Sequence, residues 1–172
     1  GDNQISRLPS NLFKNTVLLK QLHSASNEIR FLPDPDLLAS LSELTELSIS
    51  NNQLETIPRG FFRNNIELKE LYLSYNRIQF LEADLFSTLT KLKKLWINSN
   101  NLQTLPVGLF HNTIELDFLD LSRNQLTNID VGVFRGEIQE VNIAENCFSD
   151  ESSVLTSGFI GNIKKYVYFI QD

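Results

Sequence analysis

The chain is poor in the residues from which chemistry is usually built. Its one cysteine, Cys147, excludes any disulfide within its 172 residues. Only two histidines are present, His23 and His111, and neither stands at metal-ligand spacing from another His, Cys or carboxylate. No G-x-S-x-G elbow, Walker-type glycine loop or dinucleotide fingerprint occurs. These absences argue against an enzyme and predict no catalytic residue, metal or cofactor. Positive charge is also short: 15 Lys and Arg against 21 Asp and Glu give a net charge of -6 and a pI near 5.0. Such a chain lacks the basic face that phosphate neutralisation needs, so no nucleic-acid partner is expected. No apolar run is long enough to cross a bilayer, the longest near the end being Tyr166 to Ile170, so no membrane insertion is expected. The start has neither a charged n-region nor an apolar h-region. No N-x-S/T sequon occurs, and N-glycosylation is not predicted.

Asparagine, in contrast, is present at a near-constant interval. Asn3, Asn27, Asn52, Asn76, Asn100, Asn124 and Asn146 are separated by 24, 25, 24, 24, 24 and 22 positions. A period of this size over the whole chain marks one supersecondary unit stacked on copies of itself, a solenoid with a long surface. Binding is therefore the default function. The units Leu44 to Asn52, Leu68 to Asn76, Leu92 to Asn100 and Leu116 to Asn124 all read L-x-x-L-x-L-x-x-N. Their x-L-x-L-x centre alternates as a short strand with one buried face does.

Each unit continues with apolar residues two and five positions after the asparagine, such as Ile78 and Leu81, which turn the chain back over the core. Ten positions after the asparagine stands an aromatic, at Phe13, Phe62, Phe86, Phe110 and Phe134. Stacked coils align these as a spine, each burial contributing about 1.5–3 kcal/mol. The asparagines fall where strands end and backbone groups lose their ladder partners, a task suited to a buried amide. They are read as scaffold, without ligand contact.

This pattern resembles the leucine-rich repeat family, in particular the 24-residue type of Toll-like receptors, Slit proteins, small proteoglycans and variable lymphocyte receptors. The L-P-x-x-L-F element is present as Leu8-Pro9 with Leu12-Phe13 and as Leu105-Pro106 with Leu109-Phe110, and Ile57-Pro58 with Phe61-Phe62 is a close variant. The resemblance implies an α/β repeat fold, a right-handed leucine-rich-repeat solenoid bent into a horseshoe arc. A parallel sheet would line the concave face, with irregular or short helical segments outside. It also implies an extracellular protein that recognises other proteins on its concave side.

Departures from the pattern locate irregular coils. An insertion at residues 33–38 moves the spine position of the second coil to Leu38, and Ser24 replaces a strand leucine in the first full repeat. The stretch from Phe134 to Ile138 is two residues shorter than its predecessor and must tighten at Gly136. Ile163, Tyr166 and Tyr168 fit L-x-x-L-x-L as a seventh strand, and a short helix is predicted over Asp150 to Thr156. Residues 1–172 are thus expected to form a single domain of about seven coils. Cysteine-rich caps are missing from the pattern, so one or both terminal caps are expected to be lacking. The chain then reads as a section of a longer array, or as one partner of a homodimer through uncapped ends. Cys147 follows a ladder asparagine at a position predicted to be partly exposed, and is read as an unpaired thiol without function, the alternative being a disulfide to a segment outside these residues or to another chain.

The strand positions free of packing duties carry the functional reading. Between the last two strand leucines stand His23, Ser48, Tyr72, Trp96, Asp120 and Asn142, which puts Tyr72 beside Trp96. Phe118 and Tyr75 are predicted on the same face. Large exposed aromatics are anchors of the kind enriched at interface hot spots. Lys69, Lys93 and Lys94 adjoin them, and Asp117, Asp120, Glu140 and Glu145 form an acidic zone toward the later coils. The expected ligand-binding residues are Tyr72, Tyr75, Trp96, Phe118, Lys69, Lys93, Lys94 and Asp120, and the expected partner is a protein. A structural or adhesive array without a dedicated site, or an enzyme-inhibitor repeat protein, is the alternative.

Overall fold

The computed structural model describes residues 3–32, 34–149 and 163–168. Among the described residues seven strands form one parallel sheet in chain order: β1 (Gln21–His23), β2 (Glu46–Ser48), β3 (Glu70–Tyr72), β4 (Lys94–Trp96), β5 (Phe118–Asp120), β6 (Ile138–Asn142) and β7 (Ile163–Tyr168). Through β6 the register aligns the repeats column by column, Leu22 with Leu47, Leu71, Leu95, Leu119 and Val141. No α-helix occurs among the described residues; a 3-10 turn at Val131–Val133, capped by the Asp130 carboxylate on the Gly132 amide, is the nearest approach. No helix there is long and apolar enough to cross a membrane.

The strand leucines and the apolar residues after each asparagine meet in one continuous core. Leu47, Leu71, Leu95 and Leu119 are fully buried, as are Leu54, Ile78, Leu102 and Leu126. In the first full repeat Leu19 and Leu22 are only partly buried and Ser24 is half-exposed, as the lost leucine predicts.

The return segments are chains of tight turns. In the L-P-x-x-L-F element the proline carbonyl accepts from the leucine amide three residues on, as in Pro9 to Leu12 (3.0 Å) and Pro106 to Leu109 (3.2 Å). Proline suits this place because its fixed φ pre-forms the turn and the bond uses only its carbonyl. Gly60 and Gly108, at φ +72° and +86°, supply the left-handed residue in their coils. The spine forms over four of the five expected rings, with Phe62–Phe86, Phe86–Phe110 and Phe110–Phe134 stacked at centroid distances of 6.1, 5.8 and 5.0 Å, while Phe13 packs only partly buried against the core. Leu38 takes the same place in its coil: its carbonyl accepts from Leu41, as that of Phe62 does from Asn65.

The asparagines make a ladder. Asn100 Oδ1 accepts from the Ile78 amide of the preceding coil (3.0 Å), while its Nδ2 donates to Leu73 O (3.1 Å) and to Ile97 O (3.0 Å). Asn52, Asn76, Asn124 and Asn146 repeat this on both sides. Immediately before each stands a non-glycine residue at positive φ, namely Ser26, Asn51, Tyr75, Ser99, Arg123 and Glu145.

One expectation changes. The seventh strand is present, but an irregularity between Ile138 and Glu140 shifts its register, pairing Val141 with Val167, Glu140 with Tyr166 and Asn142 with Tyr168. Val167, rather than Tyr166, therefore occupies the row of the central leucine, because one extra residue of β7 is accommodated before the pairing resumes. The helix expected over Asp150 to Thr156 lies outside the described residues.

Candidate protein-binding surface

Because neighbouring side chains on a strand leave opposite faces, each three-residue strand turns its middle residue inward, partly buried in β1 and fully buried from β2 to β5, and presents the other two. The register then sorts the presented residues into two rows: Gln21, Glu46, Glu70, Lys94, Phe118 and Glu140 in one, and His23, Ser48, Tyr72, Trp96, Asp120 and Asn142 in the other. The aromatic stretch of these rows is continuous. Tyr72 and Trp96 stack at 4.3 Å with planes 6° apart, and Phe118 follows Trp96 at 5.1 Å, tilted by 43°. All three rings are half-buried.

Polar tips on this face are fixed by neighbours. The Tyr72 hydroxyl donates to Glu70 Oε2 at 2.6 Å. Lys94 Nζ lies 3.5 Å from Glu70 Oε1 and 6.0 Å from the centre of the Trp96 ring, within reach of a cation–π contact. Burial above all, then the hydrogen bond to Glu70 and the charges of Glu70 and Glu46, push the Tyr72 phenol well above the ordinary tyrosine range. Glu70 therefore organises the patch. The column spacing that exposed Tyr72 and Trp96 also places Glu70 beside Lys94, so the signal was present in the repeat alignment.

The remaining expected site residues sit around this centre. Lys69 and Lys93 are exposed where β3 and β4 begin, Lys93 being 3.7 Å from Glu115. Asp120 turns inward on its own loop, accepting from the Ser122 amide (3.0 Å) and hydroxyl (2.6 Å). Tyr75 is not part of the stack. At φ 56° and 53% exposed it lies off the strands, near Arg123, whose guanidinium is held mainly by Glu145 at 2.8 Å. Glu145 is thus engaged at the rim. Of the two histidines, His23 contacts Glu46 across strands (3.1 Å) and His111 meets Gly132 O (2.9 Å) on the return side. Cys147 is free and exposed.

The repeat model described as Leucine rich repeat matches residues 42–102 and again 90–148, most of the chain. The chain belongs to the leucine-rich repeat family. Its solenoid matches two solved leucine-rich repeat structures at 25% identity. The leucine-rich repeat domain of APL1B aligns with a TM-score of 0.73 over 87% of this chain and 48% of that one. A leucine-rich repeat protein of Leptospira interrogans aligns with 0.83 over 98% and 41%. The APL1 leucine-rich repeat domain, at 22% identity and a TM-score of 0.58, shares the fold. This leucine-rich repeat chain thus spans less than half the length of the first two. No curated protein matches it in sequence. Leucine-rich repeat domains are in general protein-interaction scaffolds.

Proposed function

We propose that the chain is a protein-binding module whose ligand rests on the concave face of the sheet. The observation that carries this reading is the aromatic run Tyr72, Trp96 and Phe118, three large rings side by side on adjacent strands, left half-exposed by the fold. Exposed aromatics of this size are anchors for a partner when nothing in the chain covers them. Lys69, Lys93 and Lys94 adjoin the aromatic run, with Glu46 and Glu70 on the strands beside them and Asp117, Asp120 and Glu140 on the later coils, a pattern of charge that orients a partner and speeds encounter. Tyr75 extends the contact at the rim. The sheet spans about 30 Å at about 4.8 Å per strand, which accommodates a standard footprint of about 800 Å² per partner.

The setting that fits the resemblance to extracellular repeats is recognition outside the cell, in innate immunity, adhesion or cell-surface signalling, with residues 1–172 as one domain of about seven coils. Localising the tagged gene product tests the setting: retention in the cytosol would overturn it. A partner captured on the intact chain should bind at least ~30-fold more weakly when Tyr72 and Trp96 are both alanine, a loss of about 2 kcal/mol or more. Unchanged affinity in a variant with the parent's circular dichroism sinks the concave-face reading and favours a structural array. Light scattering addresses a homodimer through the ends: a monomer at high concentration removes it.

A further inference from the structure

The aromatic run has an unfinished end. Trp96 is covered on its two sides by Tyr72 and Phe118, whereas Tyr72 has Trp96 on one side and only Ser48 in the next coil on the other. Ser48 is half-exposed, too small to cover a phenol ring, and its hydroxyl has no hydrogen-bond partner among the described residues. One coil further stands His23. His23 and Tyr72 thus stand two strands apart, ~9.6 Å between backbones with only Ser48 between them, which leaves room for one planar group against the open side of the Tyr72 ring. The row alongside is acidic. Glu46 receives hydrogen bonds from Gln21 (2.9 Å) and contacts His23 (3.1 Å), neither of them a lysine or arginine, and Glu70 shares Lys94 at 3.5 Å. Two carboxylates thus face one ammonium.

Resting on the reading of this face as the binding face, we propose that the gap over Ser48 receives an arginine side chain of the partner protein, its guanidinium stacked on Tyr72 and facing Glu46 and Glu70. Guanidinium is planar, weakly hydrated and rich in donors, so it can stack on a ring and serve carboxylates and a hydroxyl at once. An inserted aromatic ring would extend the stack but leave the carboxylates uncompensated, and an acidic side chain would be repelled. The upward push that both Glu46 and Glu70 exert on the Tyr72 phenol agrees with a negative field at this spot.

The test is titration of the intact chain with a capped Gly-Arg-Gly tripeptide, followed by amide chemical shifts, beside the same peptide carrying uncharged citrulline. Saturable shifts are expected at the Ser48 and Tyr72 amides, about fivefold weaker with citrulline or in Glu46→Gln, and lost in Ser48→Trp, which fills the gap. Equal response to citrulline, shifts centred on Asp117 and Glu140, or binding that survives both substitutions overturns the proposal. If Ser48→Trp does not fold, Glu46→Gln and the citrulline peptide decide alone. A partner whose affinity depends on Trp96 but ignores Ser48→Trp and Glu46→Gln refutes the arginine site and leaves the wider reading standing. Arginine shifts at Ser48 with no Trp96-dependent partner do the reverse.

Discussion

Asparagine and the residue before it divide the work of each corner. The amide of Asn100 satisfies one buried donor and two buried acceptors that belong to two coils. Asn100→Ala leaves those groups buried and unpaired, at about 1–3 kcal/mol each, so urea unfolding should show a loss of about 3 kcal/mol or more. Ser99 makes the opposite case. It is held at φ 55°, a conformation that disfavours residues with a Cβ, and its hydroxyl is buried without a partner. Ser99→Gly relieves both while adding chain entropy to the unfolded state, and a net gain of about 0.5–1 kcal/mol is expected. A lower urea midpoint for this variant would show that the corner is not strained. The left-handed column was invisible in the sequence because only Asn51 among its six residues is a type that favours such backbone.

At the scale of the strand, three residues are too few to be stable alone, and what fixes their exposed side chains is the strand next door. Tyr72 and Glu70 share β3, but Trp96 and Lys94 of β4 complete the arrangement. Its titration follows from this. With the folded phenol raised above the ordinary 10.0, the contribution to stability is fully present below that pH. It is lost as pH rises, because the unfolded chain then ionises while the folded one still holds its proton. Subtracting the ultraviolet titration of Tyr72→Phe from that of the parent should leave a phenolate transition above the ordinary tyrosine range. Glu70→Gln should move that transition down. A difference transition at the ordinary tyrosine value would contradict the arrangement.

Over the whole molecule, cohesion is between neighbouring coils, so a single lesion in the middle acts on both halves. Phe86 is fully buried and stacks on Phe62 and Phe110, whereas Phe13 is only partly buried beside the core. Phe86→Ala should cost about 3–5 kcal/mol and Phe13→Ala distinctly less. Because each coil contacts only its neighbours, Phe86→Ala should also separate unfolding followed at Trp96 from unfolding followed by far-ultraviolet circular dichroism. Equal losses for the two substitutions would mean that the spine is not what joins the coils. The same linear architecture spreads the proposed binding face over many strands, so association with a charged partner should slow as salt screens the lysines and carboxylates.

The sequence by itself determined the repeat, the parallel order of the strands, the core columns and the phenylalanine spine, because these depend on a periodicity that runs along one chain. It also placed Tyr72, Trp96 and Phe118 on one face, since strand alternation and a constant register follow from the same period. The tertiary structure alone decided how exposed polar groups divide among neighbours: Glu70 on Tyr72 and Lys94, Asp120 on its own loop, and Tyr75 away from the stack toward Arg123. It also decided that Val167 rather than Tyr166 pairs with Val141. Core positions are dictated by the requirement to exclude water, which a hydrophobic pattern records, whereas surface pairings depend on distances between adjacent coils, which only the stacked molecule sets.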